Sequence, residues 1–179
     1  WIVRRTLRDR FGSVYRLNFY SDSEMADILY RSTKILKINS DNEGIKEIAI
    51  RSRKTPRIAN RLLRRVRDFS EVQSDGKINV NIVKKALDQL EVDNLGLDKI
   101  DVELLESLVK KFDGGPVGLQ TLAASISEDP NTVEDVIEPF LLNLGFISRT
   151  NRGRVATKLA YEHLGIDIKD EPSQGTLLN

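Results

Sequence analysis

The sequence predicts a mainly α protein built as two small helical units, the second closed by a β-hairpin. Apolar residues recur at helical spacing in one stretch after another from Ser23 to Leu144. That period gives way at "FISRTNRGRVAT", where two short apolar-ended segments flank the turn residues Asn151 and Gly153, the pattern of a hairpin. At 179 residues the chain suits one large domain or two small ones, and the polar stretch "EVDNLG" reads as the linker between two.

The opening "WIVRRTLRDRFGSVYRLNFY" has no long helical period and ends in the alternating "VYRLNFY", where Val14, Leu17, Phe19 and Tyr20 predict a short strand. From Ser23 onward Met25, Ile28, Leu29, Ile35 and Leu36 share one helical face, opened by "SDSE", whose Ser or Asp can cap it. A second helix, roughly Asn42 to Arg51, buries Ile45, Ile48 and Ala49. In the third, Thr55 is the expected N-cap and Pro56 suits the first helical position, while Ile58, Ala59, Leu62, Val66 and Phe69 form the buried stripe. "SDGKIN" makes a turn, and Ile82, Val83, Ala86, Leu87 and Leu90 supply a fourth helix, completing a small bundle.

Beyond the linker, Ile100, Leu104, Leu105, Leu108 and Phe112 mark a helix ended by Gly114 and Gly115. "GPVGLQTLAASIS" gives a short helix, and "EDPNTVEDVIEPFLLNLG" a longer one with Val133, Val136, Ile137, Phe140, Leu141 and Leu144 facing inward. Three helices followed by a hairpin is winged-helix order. A last helix carries Tyr161 and His163, and "DIKDEPSQGTLLN" has the composition of a mobile tail.

Composition narrows the chemistry. With no cysteine and a single histidine, His163, neither a thiolate zinc site nor another metal centre is expected, and His163 is read as a packing or surface residue. No run of ~18 apolar residues and no basic-then-apolar leader is present, so the expectation is a soluble cytoplasmic protein with no membrane partner. The net charge of +1 conceals basic clusters at Arg51–Arg67 and Arg149–Lys158 around an acidic stretch from Glu91 to Glu138.

Arg57 falls in the first turn of the third helix, where free N–H groups and the dipole already favour an anion. A cation there makes sense if a phosphate binds, because a guanidinium grips phosphate oxygens in a bidentate fork; the plainer alternative is a neighbouring carboxylate. Arg61, Arg64, Arg65 and Arg67 spread over the polar side, as expected of a solvated face or a subunit contact. "GGPVG", Gly114 to Gly118, is glycine-rich before a helix but lacks the Lys-[Ser/Thr] ending of a phosphate loop, and reads as a tight turn stiffened by Pro116.

"LRDRFG", "RSRKTPRIANRLLRRVRDF", "GGPVGLQTLAASI", "EPFLLNLGFISRTNRGR" and "AYEHLGI" together resemble the RuvB family of bacterial Holliday-junction branch-migration motors, which are AAA+ ATPases. The resemblance runs in unbroken order from about Leu7 to Ile166. It implies a remnant of the nucleotide-binding domain at 1–20, an AAA+ helical lid at 21–92, a winged-helix DNA-binding domain at 93–168 and a flexible tail at 169–179. It also implies that Arg57, in "TPR", is the sensor-2 arginine contacting the ATP phosphate, and that Arg10, in "RDRFG", is the arginine finger inserted into a neighbour's site. Such a finger is worth about 10³- to 10⁵-fold in rate in other nucleotidases. Implied partners are double-stranded DNA, Holliday junctions, further copies in a hexameric ring, RuvA and the RuvC resolvase, in recombination and repair.

The departures matter equally. No G-x-x-x-x-G-K-[ST] run or acidic Walker B motif is present, and "WIVRRT" does not fit the family's usual lead-in. The chain is therefore read as a C-terminal piece. ATP and Mg²⁺ belong to the full-length protein, with neither held stably here, and no ATPase activity is expected of the chain alone. RuvA binding, which relatives place on the nucleotide-binding domain, is expected only of the intact protein.

At the DNA end, "PNTVEDVIEPFLLNLG" offers Glu134, Asp135 and Glu138 and no cation, so duplex phosphates would repel it as a recognition helix. The hairpin presents Arg149, Arg152 and Arg154, which are expected to bind DNA mainly through phosphates with weak base reading. Asn151 stands where the family has proline. A solvated hairpin tip is the plain alternative. Two other functions fit less well: a free-standing winged-helix DNA-binding regulator, for which sensor and finger arginines have no purpose, and an interaction module that works through the acidic helix.

Overall fold

A computed structural model describes residues 19–167. Arg10, most of the strand expected at "VYRLNFY", and the tail at 169–179 lie outside the described residues. The chain divides into two compact units, one ending at Ala86 and the other beginning at Leu87.

In the first unit, helix α1 (Asp22–Leu36) starts at Ser21, whose hydroxyl accepts from the Glu24 amide while the Glu24 carboxylate accepts from the Ser21 amide. This reciprocal cap satisfies two of the donors a helix start leaves free. Helix α2 (Asn42–Ile50) is capped by Asp41. Helix α3 (Pro56–Gln73) follows Thr55, and α4 (Val80–Gln89), whose last residues already belong to the second unit, follows a turn at Gly76. Helix α1 packs on α2 and α3. Met25, Leu29, Ile45, Ile48, Leu63 and Ile78 are fully buried, and each such side chain contributes about 1.5–3 kcal/mol of burial.

Two expected stripes sit differently. Ile35 is 67% exposed and Leu36 also faces outward, because Thr33 takes the inward position near the end of α1 and Lys37 turns the chain away with φ 53°. On α3 the fully buried row is Ala59, Leu62, Leu63, Val66 and Ser70, with Ile58 and Phe69 half-buried at its margins.

In the second unit, a compact turn follows in which the Asp93 carboxylate accepts from the amides of Leu95 and Leu97. Helix α5 runs over Lys99–Glu106 and continues as a π-helical turn, Ser107–Lys111. Helix α6 is Leu119–Ser125. Helix α7 joins a short α turn (Pro130–Thr132), a π turn (Val133–Ile137) and an α segment (Glu138–Asn143). Strands β1 (Ile147–Thr150) and β2 (Gly153–Ala156) pair antiparallel around Asn151 and Arg152, and α8 (Lys158–Leu164) comes after them. The core joins Leu97, Leu104, Leu105, Leu108, Leu122, Val133, Ile137, Leu141, Phe146, Ile147 and Ala160.

The π turn of α7 changes which residues face that core. It holds about one residue more than an α turn, which shifts the phase of the next helical segment by about 100° on a 3.6-residue helix. Val136, expected inside, is therefore 56% exposed, and Glu138, expected on the solvent face, is 1% exposed.

"GGPVG" is more than a turn. Val117 exchanges both backbone hydrogen bonds with Arg154 (N to O 2.9 Å, and 2.8 Å in return), so the segment lies along the outer edge of β2. The approach is close: Gly115 (φ 94°) and Gly153 (φ 141°) stand where a Cβ would overlap the carbonyl oxygens of Arg154 and Val117 respectively. Only glycine combines that space with those dihedrals.

Candidate functional site

The basic residues that attract attention in the sequence fall in two places, Arg57 in the first unit and Arg149, Arg152 and Arg154 in the second.

Before α3 the chain passes through two consecutive left-handed residues, Arg53 (φ 54°) and Lys54 (φ 52°), a conformation that costs a non-glycine residue about 1–2 kcal/mol. This turn delivers Thr55 to the N-cap position with extended dihedrals. Its hydroxyl does not cap the helix, but donates to the Arg53 carbonyl at 3.0 Å. The first turn also lacks any acidic residue. Among the described residues the start of α3 thus keeps its positive dipole end without a compensating side chain, and Arg57 stands there exposed.

Arg57, Asn60, Arg61, Arg64, Arg65 and Asp68 line a shallow depression of about 400 Å³. Asp68, the one acid in that set, is already engaged by Arg67 at 2.6 and 3.0 Å. Among the described residues no carboxylate pairs with Arg57, so the carboxylate alternative has no partner here, and the depression is chemically suited to an anion. Nearby cations are not all alike: Arg51 is buried and paired with Glu47 at 2.6 Å.

At the wing, the hairpin register places Arg149 directly opposite Arg154. Two like charges so placed repel. Glu138, from α7, lies beneath both: its Oε1 accepts from Arg149 Nε at 2.5 Å and from Arg154 Nε at 3.0 Å, and its Oε2 accepts from Arg154 Nη2 at 3.0 Å. Burial pushes the Glu138 carboxyl up, but the hydrogen bonds and charges of the two arginines outweigh it and hold the group below the ordinary carboxylate range. The hydrogen bond to Glu138 in turn raises Arg149 above its ordinary value.

The three wing arginines are therefore not equivalent. The Arg149 side chain is 51% exposed and that of Arg154 17%. Arg152 sits exposed at the hairpin tip, with no carboxylate partner among the described residues. There the Thr150 hydroxyl donates to the Gly153 carbonyl and accepts from the Arg152 amide, fixing the two-residue turn. Sequence reasoning missed Glu138 by counting it among the exposed acids of its helix. A usable signal was present: a two-residue turn at Asn151–Arg152 sets Arg149 against Arg154, and such a pair is stabilised by an anion nearby.

His163 makes a structural contact, its Nε2 lying 2.9 Å from Asp93 Oδ2 and its ring 4.9 Å from that of Phe146. Among the described residues no group of three or more His, Cys, Asp or Glu side chains could hold a metal, and no helix is long and apolar enough to cross a membrane.

Two family models match the chain, the "RuvB AAA lid domain" over residues 20–93 and the "RuvB C-terminal winged helix domain" over 94–165. The Holliday junction branch migration complex subunit RuvB of Dehalococcoides mccartyi (strain CBDB1) is 54% identical over 165 residues, covering 92% of this chain and 47% of that protein. Its counterpart in Chloroflexus aggregans is 54% identical over 185 aligned positions, covering 98% of this chain and 53% of that protein. Among solved structures, the Thermotoga maritima RuvB Holliday junction branch migration motor superposes with a TM-score of 0.85 at 42% identity, covering 92% of this chain and 55% of that one. The chain spans about half the length of the relatives it matches.

Proposed function

The chain belongs to the RuvB family, and on that premise we propose that it is the lid and DNA-gripping part of an ATP-driven motor that moves Holliday junctions in recombination and repair. The motor's ATP and Mg²⁺ are held chiefly by a nucleotide-binding core, and this chain contributes Arg57 to the ATP phosphate. The uncapped, acid-free start of α3 supports that role, since a phosphate there meets both free N–H groups and a guanidinium. Arg10 acts as the finger toward a neighbouring copy in a hexameric ring, and RuvA and RuvC join the assembly in the cytoplasm. The chain alone hydrolyses no ATP, because nothing in its sequence forms a phosphate loop.

DNA is gripped by the wing through Arg149, Arg152 and Arg154. The observation that carries this reading is the exposed Arg152 at the hairpin tip, within a segment matched by the RuvB winged-helix family model. A grip built on phosphates is indifferent to base sequence, as a motor that passes over arbitrary DNA requires.

The test is binding of the chain to fluorescently labelled duplexes of several unrelated sequences and to a four-way junction, at two salt concentrations. Micromolar, salt-sensitive and sequence-indifferent binding is the expected result. Strong preference for one sequence points instead to a regulator, and no binding at low salt overturns the wing as a grip that works outside a ring.

A further inference from the structure

Arg149 and Arg154 occupy opposite positions in the β-ladder, where their charges repel, yet they converge on one carboxylate oxygen of Glu138. That carboxylate is 1% exposed and comes from the segment of α7 that the π turn rotates into the domain. Glu138 engages Arg149 through Nε alone, and Arg154 through Nε and Nη2. Both Arg149 terminal nitrogens and Arg154 Nη1 are left uncommitted by it, carrying N–H groups of the kind that bind phosphate oxygens.

We propose that Glu138 is a positioning residue for DNA binding, gathering Arg149 and Arg154 into a single phosphate-binding unit on the wing. Without it each long side chain samples many rotamers, and the pair is driven apart by its own charge. With it, the guanidinium planes are fixed before DNA arrives, so little ordering entropy is lost on binding. The acid on a DNA-binding element is then an organiser of the cations and not a repulsive defect. This rests on the wing being the DNA grip.

The sign of the effect separates positioning from simple electrostatics. Glu138→Gln keeps the side-chain shape and removes one negative charge, so bulk electrostatics alone predicts tighter binding with a steeper salt dependence. Positioning predicts the reverse: binding of the chain to a labelled duplex weakens by about five- to tenfold at fixed salt. The substitution has no further effect in an Arg149→Ala/Arg154→Ala background. In the free chain, the Nε–H NMR signals of Arg149 and Arg154 shift and broaden in Glu138→Gln while those of Arg152 do not.

Tighter binding by Glu138→Gln, or an equal loss in the double-alanine background, overturns the proposal while leaving the wing reading intact. Should Arg152→Ala and the double-alanine variant both bind as the parent does, the wing reading falls and the proposal with it. If Glu138→Gln does not fold, Glu138→Asp carries the same test: it keeps the charge but reaches less far, so weaker binding supports positioning and unchanged binding overturns it.

Discussion

Arg149 and Arg154 stand directly opposite each other across the wing and share the buried carboxylate of Glu138, so the basic face of the hairpin is organised from below by an acid of the preceding helix. Adjacent guanidiniums are tolerated in the ladder because a counter-charge is fixed within hydrogen-bond reach of both.

This triad makes stability depend on pH. The folded-state pKa of Glu138 lies below its unfolded value, so its contribution is fully present above that unfolded value and is lost as pH falls through the folded one. Thermal unfolding of the parent and of Glu138→Gln should differ most near neutral pH and converge under acid conditions. An equal difference in melting temperature at about pH 7 and about pH 3.5 would contradict the assignment.

Arg152 offers a contrast, being exposed and unpaired with acid among the described residues. Arg152→Ala should leave the unfolding free energy within about 0.5 kcal/mol of the parent. It should weaken DNA binding by a similar factor on unrelated sequences and lower the slope of log K against log salt by about one. Denaturant titration and anisotropy at several salt concentrations check the two halves separately.

Gly153→Ala tests the close approach of the "GGPVG" segment to β2. The backbone at φ 141° disfavours any side chain, and a Cβ would overlap the Val117 carbonyl. A loss of about 2 kcal/mol or more is expected in urea unfolding of the chain, with the wing's amide protons exchanging faster.

Two pairs in the first unit separate burial from residue type. Leu29→Ala, at a fully buried position, should cost about 2–5 kcal/mol, whereas Ile35→Ser, at a 67% exposed one, should change stability by less than about 0.5 kcal/mol. Likewise Arg51→Ala leaves Glu47 without its 2.6 Å partner and should cost about 2–3 kcal/mol, while Arg57→Ala should be nearly neutral for folding. Chemical denaturation resolves both contrasts.

Much of this fold was legible in the order of the residues. Ser21, in the "SDSE" that opens α1, starts that helix as capping chemistry requires, and Met25, Leu29, Ile45, Ile48, Leu104, Leu105 and Leu108 are buried as their spacing predicts. The hairpin was equally visible, though of its expected turn residues Asn151 lies in the turn and Gly153 opens β2. Ile35, Leu36 and Val136 broke the pattern for local reasons: α1 ends in a left-handed turn, and α7 contains a π turn that one-dimensional periodicity does not encode.

By itself, the sequence determined the helices, the hairpin and the clustering of basic residues at Arg57 and on the wing, since these arise from spacing, caps and turn chemistry within a few residues. Tertiary structure alone decided what surrounds each cation. Whether Glu138 faces water or the two arginines, and whether "GGPVG" is a turn or an edge of the sheet, depend on groups far apart in the chain. Charge and burial act through distance in space, and a residue's number fixes its neighbours only along the chain.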